Sequence, residues 1–127
     1  MTFRFNTTKG VILCTARLIN TPNAIFTNMA VDTGASITMI PKEHTRAINL
    51  PLEKPVRTIA IATANGEIKV PIITIPVFEC LGVRINKLDV ICHNLPTGSP
   101  AEGLLGINFL AKAKTIIDFA NNTISTS

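Results

Sequence analysis

The chain has 127 residues, of which 46% are hydrophobic and 16% charged, with a formal charge of +4 and a pI near 9.3. That length holds one domain with a substantial core and excludes two packed lobes; six Phe with no Trp or Tyr leave a core of Ile, Val, Leu and Thr, which favours strands and predicts a mainly β fold. The basic residues are scattered from Arg4 to Lys114 without a run or an aromatic-interleaved stripe, and no apolar run approaches the ~20 residues that cross a bilayer, so neither a nucleic-acid nor a membrane partner is expected.

The first ten residues lack the order of a signal peptide, and Cys14, Cys80 and Cys92 form an odd set without paired spacing. Both features fit a reducing compartment, the cytoplasm, and buried inert thiols. Residues 11–19 and 24–31 read as strands of a hairpin turning at Asn20-Thr21-Pro22-Asn23, and the hairpin delivers Asp32. Pro41 suits the start of a helix running towards Leu50, with Lys42, Glu43, His44 and Arg46 on its exposed side, and residues 49–55 form a loop.

Residues 56–62 and 67–75 alternate polar and apolar side chains across Asn65-Gly66, a pairing that predicts a type I′ hairpin turn because both of its central residues need positive φ. Further strands are expected at 73–80, 83–92, 115–119 and 123–126, with a mobile loop over 94–102. A helix over 109–114 is expected to be capped by Asn108.

The chemistry concentrates at Asp32-Thr33-Gly34-Ala35-Ser36. Asp is a poor strand residue, and a carboxylate that follows Met29-Ala30-Val31 must be hydrogen-bonded, paired or neutralised if it is buried. Thr33 supplies a hydroxyl, and Gly34 lets backbone N–H groups approach the carboxylate. Two such loops facing each other would make a carboxylate pair sharing one proton, and this chain has one loop.

Asp32-Thr33-Gly34-Ala35, the hairpin tipped by Thr63-Ala64-Asn65-Gly66, and Gly103-Leu104-Leu105-Gly106-Ile107-Asn108-Phe109-Leu110 ahead of a helix follow one another as they do in retropepsin-like aspartic proteases, which the chain resembles over nearly its whole length. The resemblance implies a closed β-barrel of the acid protease fold with one or two short helices, in a single domain over residues 1–127. It implies a homodimeric aspartic endopeptidase of the cytoplasm in which the two Asp32 carboxylates activate one water, with no metal or cofactor. Thr33 would brace the loop against its symmetry mate. Gly34, Ala35 and Ser36 would line the peptide groove, and a flap at about 59–73, tipped by Thr63, Ala64, Asn65 and Gly66, would close over an extended peptide.

Ala35 and Ser36 depart from relatives. Two-lobed pepsins usually carry Ser or Thr where this chain has Ala35, and without that hydroxyl the optimum should lie nearer mild acidity. Ser36 replaces a second acid of retroviral members; it is either a weak neutral contact to substrate or a turn-stabilising hydroxyl. Asp89 and Asp118 lack the small-residue turn that would present a carboxylate, and Asp118 is expected to face outward from its strand. His44 and His93 form no metal pattern with the cysteines. The rival reading is a catalytically inactive module that uses the same groove for peptide binding or dimerisation; a domain excised from a polyprotein is a further one.

Overall fold

In the computed structural model, which describes residues 1–127, ten strands and two short helices follow one another as β1 Thr2–Arg4, β2 Leu13–Asn20, β3 Asn23–Val31, β4 Thr38–Ile40, α1 Lys42–Ala47, β5 Arg57–Thr63, β6 Gly66–Cys80, β7 Val83–Cys92, β8 Gly103–Leu105, α2 Ile107–Leu110, β9 Ile116–Asp118 and β10 Thr123–Ser125. The main sheet runs β2-β3-β8-β4-β7-β6-β5, and a β2–β6 pairing closes it into a six-stranded barrel from which the β5 hairpin projects. Closure leaves few free edges, the general solution for an all-β core of this size. A second sheet, β1-β10-β9, brings the two chain ends together, with the Met1 amino group donating to Thr126 O at 2.9 Å.

The aliphatic composition has its consequence in the core: Leu18, Met29, Ile40, Ile75, Leu88, Val90 and Leu105 fill the barrel, and Phe78 and Phe109 meet at a ring separation of 5.4 Å. A smaller cluster of Val70, Ile72 and Ile91 takes in Ile59, Ile61 and Ile68 from the projecting hairpin and Ile37 and Met39 from the segment after Asp32. Hairpin and aspartate loop therefore share one apolar patch, so period-2 alternation in β5 and β6 places one face against the barrel and leaves the other in solvent.

The structure departs from the sequence reading in several elements. The strands expected at 67–75 and 73–80 are one 15-residue strand, β6, which pairs with β5 along its first half, with β2 along its second, and with β7 from Ile72 onwards. Pro71 and Pro76 both sit within it. The β6–β7 ladder omits Pro76 and Lys87, where Pro lacks an N–H and Lys87 has φ 59, a local break that the long strand tolerates.

The β5–β6 turn also differs. Thr63 pairs with Gly66, so Ala64 and Asn65 form the tip, and only Gly66 of this loop has positive φ, at 104. Thr63 Oγ1 accepts from Asn65 N and donates to Gly66 O at 2.7 Å, which holds the loop closed without the type I′ geometry. Helix α1 ends at Ala47, and Asn49 at φ 59 turns the chain away. Its start is capped from outside, by Asn94 Oδ1 accepting from Lys42 N at 2.9 Å. Helix α2 begins two residues earlier than expected, at Ile107 after Gly106, so Asn108 lies inside it and is not its cap. Strands β1 and β4, three residues each, carry no alternation long enough to read from sequence.

Candidate active site

Asp32 stands one residue beyond the end of β3, where three strands converge. β8 lies between β3 and β4, parallel to β3 through Met29↔Gly103, Ala30↔Leu104 and Val31↔Leu105, and antiparallel to β4 at Met39↔Leu104. Asp32 N continues the β3–β8 ladder by donating to Leu105 O at 2.9 Å, and Val31 N donates to Ile12 O at 2.9 Å. The chain then leaves the sheet in a tight turn closed by Ala35 N on Asp32 O at 3.2 Å. Gly34 N donates to Asp32 Oδ1 at 2.8 Å, a charge-assisted bond that fixes the carboxylate in the turn. A Cβ on Gly34 would lie 3.2 Å from the same oxygen, a tight contact that glycine avoids.

The loop's seat is made by Gly106. A Cβ there would stand 2.8 Å from Ala35 O, Ile37 C and Thr38 N, so the backbone between β8 and α2 packs directly on the backbone after Asp32. Ile107 N donates to Ala35 O at 2.8 Å and Asn108 N to Ser36 O at 3.1 Å. The first turn of α2 thus spends two of its unpaired N–H groups on the aspartate loop.

Two residues missed as site residues lock this arrangement. Asn108 Oδ1 accepts from Thr38 N at 2.9 Å and from Thr38 Oγ1 at 2.8 Å, while Asn108 Nδ2 donates to Asp89 O at 2.7 Å. Thr38 Oγ1 in turn accepts from Gly106 N at 3.1 Å. One amide thereby ties β4, α2 and β7 together. The available sequence signal was a fully buried Thr in the apolar run Ile37-Thr38-Met39-Ile40, since a hydroxyl in that position requires a partner.

Asp32 is half-buried, Ala35 is half-buried, and Thr33, Gly34 and Ser36 are exposed; so are Thr63, Ala64, Asn65 and Gly66 at the hairpin tip. The clefts of the isolated chain lie elsewhere, one between α1 and the loop before β8, lined by Pro41, Glu43, Asn94 and Glu102, and another along Arg4, Phe5, Lys9 and Leu13. Asp32 lines neither.

The other acids are occupied. Asp89 accepts from Thr74 Oγ1 at 2.7 Å and lies 3.6 Å from Arg57 Nη1. Asp118 accepts from Asn121 N and Nδ2, hydrogen bonds that hold its exposed carboxyl below the usual range. His44 departs from the expected exposed position: its side chain is 13% exposed and Nε2 lies 3.2 Å from Glu102 Oε2. Burial pushes the Cys92 thiol up to about 11, in keeping with an inert core cysteine. Cys14 and Cys80, by contrast, are neighbours, with 3.5 Å between their sulfurs. No cluster of three or more His, Cys, Asp or Glu residues suited to a metal ion is present, and no helix is long and apolar enough to cross a membrane.

Among protein families, the model described as "gag-polyprotein putative aspartyl protease" matches residues 19–112, which takes in the aspartate loop, the β5–β6 hairpin and the Gly103–Leu110 segment. No curated protein matches the chain. Among solved structures, a retropepsin-like aspartic protease from Rickettsia conorii superposes with a TM-score of 0.74 at 26% identity, over 98% of this chain and 86% of that one.

Proposed function

We propose that this chain, which belongs to the gag-polyprotein aspartyl protease family and has the retropepsin-like fold, is an aspartic endopeptidase that works as a homodimer, each copy supplying one Asp32 to a shared site. The observation that carries the reading is the Asp32 loop: one half-buried carboxylate per chain, held by Gly34 N at 2.8 Å and braced by Leu105 and Ile107. A carboxylate so rigidly held serves acid-base chemistry, which depends on fixed geometry. Alone it is half of a dyad.

In the proposed reaction the two Asp32 side chains share one proton and hold a water between them. The ionised carboxylate takes a proton from the water as its oxygen attacks the peptide carbonyl carbon, and the protonated carboxyl donates to the carbonyl oxygen. The resulting gem-diol collapses as the nitrogen takes a proton and leaves as the amine, so no covalent enzyme intermediate forms. Thr33, exposed at the loop tip, would brace one loop on the other. Gly34, Ala35 and Ser36 would form the floor of the groove, while the hairpin tip of Thr63, Ala64, Asn65 and Gly66 would close from above on an extended peptide of either a short or a protein substrate. Residues 1–127 would act as one domain. The odd cysteine set supports the cytoplasm as its place of work.

The experiment is a dilution and mixing series with a peptide library read by mass spectrometry. Activity per chain should fall as the dimer dissociates, and excess Asp32→Asn chain should poison the wild type by forming one-aspartate heterodimers. A monomer by sedimentation that cleaves in strict proportion to its concentration would overturn the shared site. A folded dimer that cleaves nothing would support instead the inactive peptide-binding module.

A further inference from the structure

Cys14 lies on β2 and Cys80 ends β6, at the seam where these strands close the barrel: Ala16 pairs with Cys80, so Cys14 sits diagonally across the ladder from it. Their sulfurs are 3.5 Å apart, with the Cys80 thiol donating towards Cys14 Sγ and Thr15 O. The third cysteine, Cys92, is fully buried in the core and makes no such contact.

The two sulfurs differ in access. Cys80 is buried and Cys14 is half-exposed. Cys14 opens into a cleft of about 210 Å³ between the barrel and the terminal sheet, lined also by Phe3, Arg4, Phe5, Leu81 and Ile124. That volume admits a small oxidant, and Arg4 makes its wall electropositive. The hydrogen bond to Cys14, with burial, drives the Cys80 thiol far above its ordinary range, so Cys80 keeps its proton while Cys14 is the sulfur within reach of solvent.

We propose that Cys14 and Cys80 are a redox-active dithiol that closes into an intrachain disulfide when the protein meets a peroxide. Cys14 Sγ attacks one peroxide oxygen and gives up its proton; the O–O bond breaks, the displaced hydroxide takes up that proton as water, and Cys14 becomes a sulfenic acid. Cys80 Sγ then attacks the Cys14 sulfur, the S–O bond breaks, and the Cys80 proton leaves with the departing hydroxide as a second water. The two thiols together give up two electrons and two protons, and a dithiol reductant reverses the step.

The bridge would fasten the barrel at its closing seam. It ties the far end of β6, whose near end carries the hairpin tip, to β2, where Cys14 pairs with Met29 on the strand that leads to Asp32. It also closes a loop spanning 66 positions, which stabilises mainly by restricting the unfolded chain. This inference is independent of proteolytic activity.

The test treats the full chain with a small excess of hydrogen peroxide and then alkylates. Intact mass should fall by two hydrogens, non-reducing peptide maps should join the Cys14 and Cys80 peptides, and Cys92 should remain open to alkylation after denaturation. The oxidised form should melt about 5–15 °C higher than the reduced form, and reductant should abolish the difference. In Cys80→Ser, a sulfenic acid at Cys14 should be trapped by a dimedone-type probe; in Cys14→Ser, Cys80 should stay unmodified at the same dose. Added oxygen without loss of hydrogen in the wild type, a bridge between two chains, or an oxidised form that melts no higher would overturn the proposal, and oxidation of Cys80 at an unchanged rate in Cys14→Ser would overturn the order of attack.

Discussion

Replacing Asn108 tests whether a single amide holds the aspartate loop in register. In Asn108→Ala, Thr38 N–H loses its acceptor in a residue with 0% exposure, Thr38 Oγ1 loses one partner while still accepting from Gly106 N, and Asp89 O loses a donor at 2.7 Å. A stranded buried N–H costs about 1–3 kcal/mol and each of the two further net hydrogen bonds about 1 kcal/mol, so the sum comes to about 3–5 kcal/mol. In urea this should lower the midpoint by about 2 M with the slope unchanged. Asn108→Asp sharpens the argument. Its introduced carboxyl keeps both bonds from Thr38 but points its second oxygen at Asp89 O, which accepts only a protonated group. The protonated form is favoured in the folded state, so the folded pKa is raised, the native protein binds more protons than the unfolded chain, and stability falls as pH rises. The variant should match wild type within about 1 kcal/mol below the ordinary carboxylate range, near pH 4, and weaken as pH climbs through the raised folded value. A loss under about 1 kcal/mol in Asn108→Ala, or a flat pH dependence in Asn108→Asp, would refute the clamp.

Asp32→Asn should abolish cleavage and leave a folded chain, because the amide oxygen can still accept from Gly34 N; activity near wild type in the library assay would sink the mechanism. Gly106→Ala should cost more than about 3 kcal/mol or prevent folding, since its Cβ would meet three backbone atoms at 2.8 Å, whereas Gly98→Ala, with open space around it and only a φ of 89 to strain, should cost about 1 kcal/mol; equal denaturation midpoints would show that the loop seat is soft. Gly66→Val strains the positive φ of the hairpin turn far from the core, so kcat/KM should fall several-fold while the thermal midpoint moves by less than about 4 °C; an unchanged kcat/KM would remove the hairpin tip from the reaction. Peptides with a hydroxyl in place of the scissile carbonyl should inhibit and chelators should not, as inhibition assays with each will decide.

The fold was legible wherever a pattern was long. β2, β3, β5 and β7 were read within two residues of their observed bounds because alternation over seven or more residues imposes a period. β4 and β1 have three residues each and exist through their neighbours: Thr38, Met39 and Ile40 become a strand because β7 and β8 offer them free ladder groups. The same cause explains Asn108. From sequence it stood before an expected helix, where a cap is the local use of an Asn; its actual partners, Thr38 and Asp89, are 70 and 19 positions away. Turn chemistry misled at Asn65-Gly66 because the Thr63 hydroxyl, a side-chain term, supplied the closure that a type I′ turn would have supplied through the backbone.

What joins the Asp32 loop to the rest of the molecule is backbone packed on backbone, and this explains why glycines mark the site more clearly than acids do. Gly103 sits against Met39 O and the Met29 side chain, Gly106 against the segment after Asp32, and Gly34 against the carboxylate itself. At Gly103 and Gly106 two chain segments approach closer than a Cβ permits, which draws β3, β8 and β4 together and leaves Asp32 at their common end. The carboxylate needs no second acid nearby to be held; Gly34 N and the Leu105 carbonyl fix its residue from both sides. With Asp89 and Asp118 both engaged elsewhere, this full support around a single carboxylate is what the proposed shared site asks of each copy.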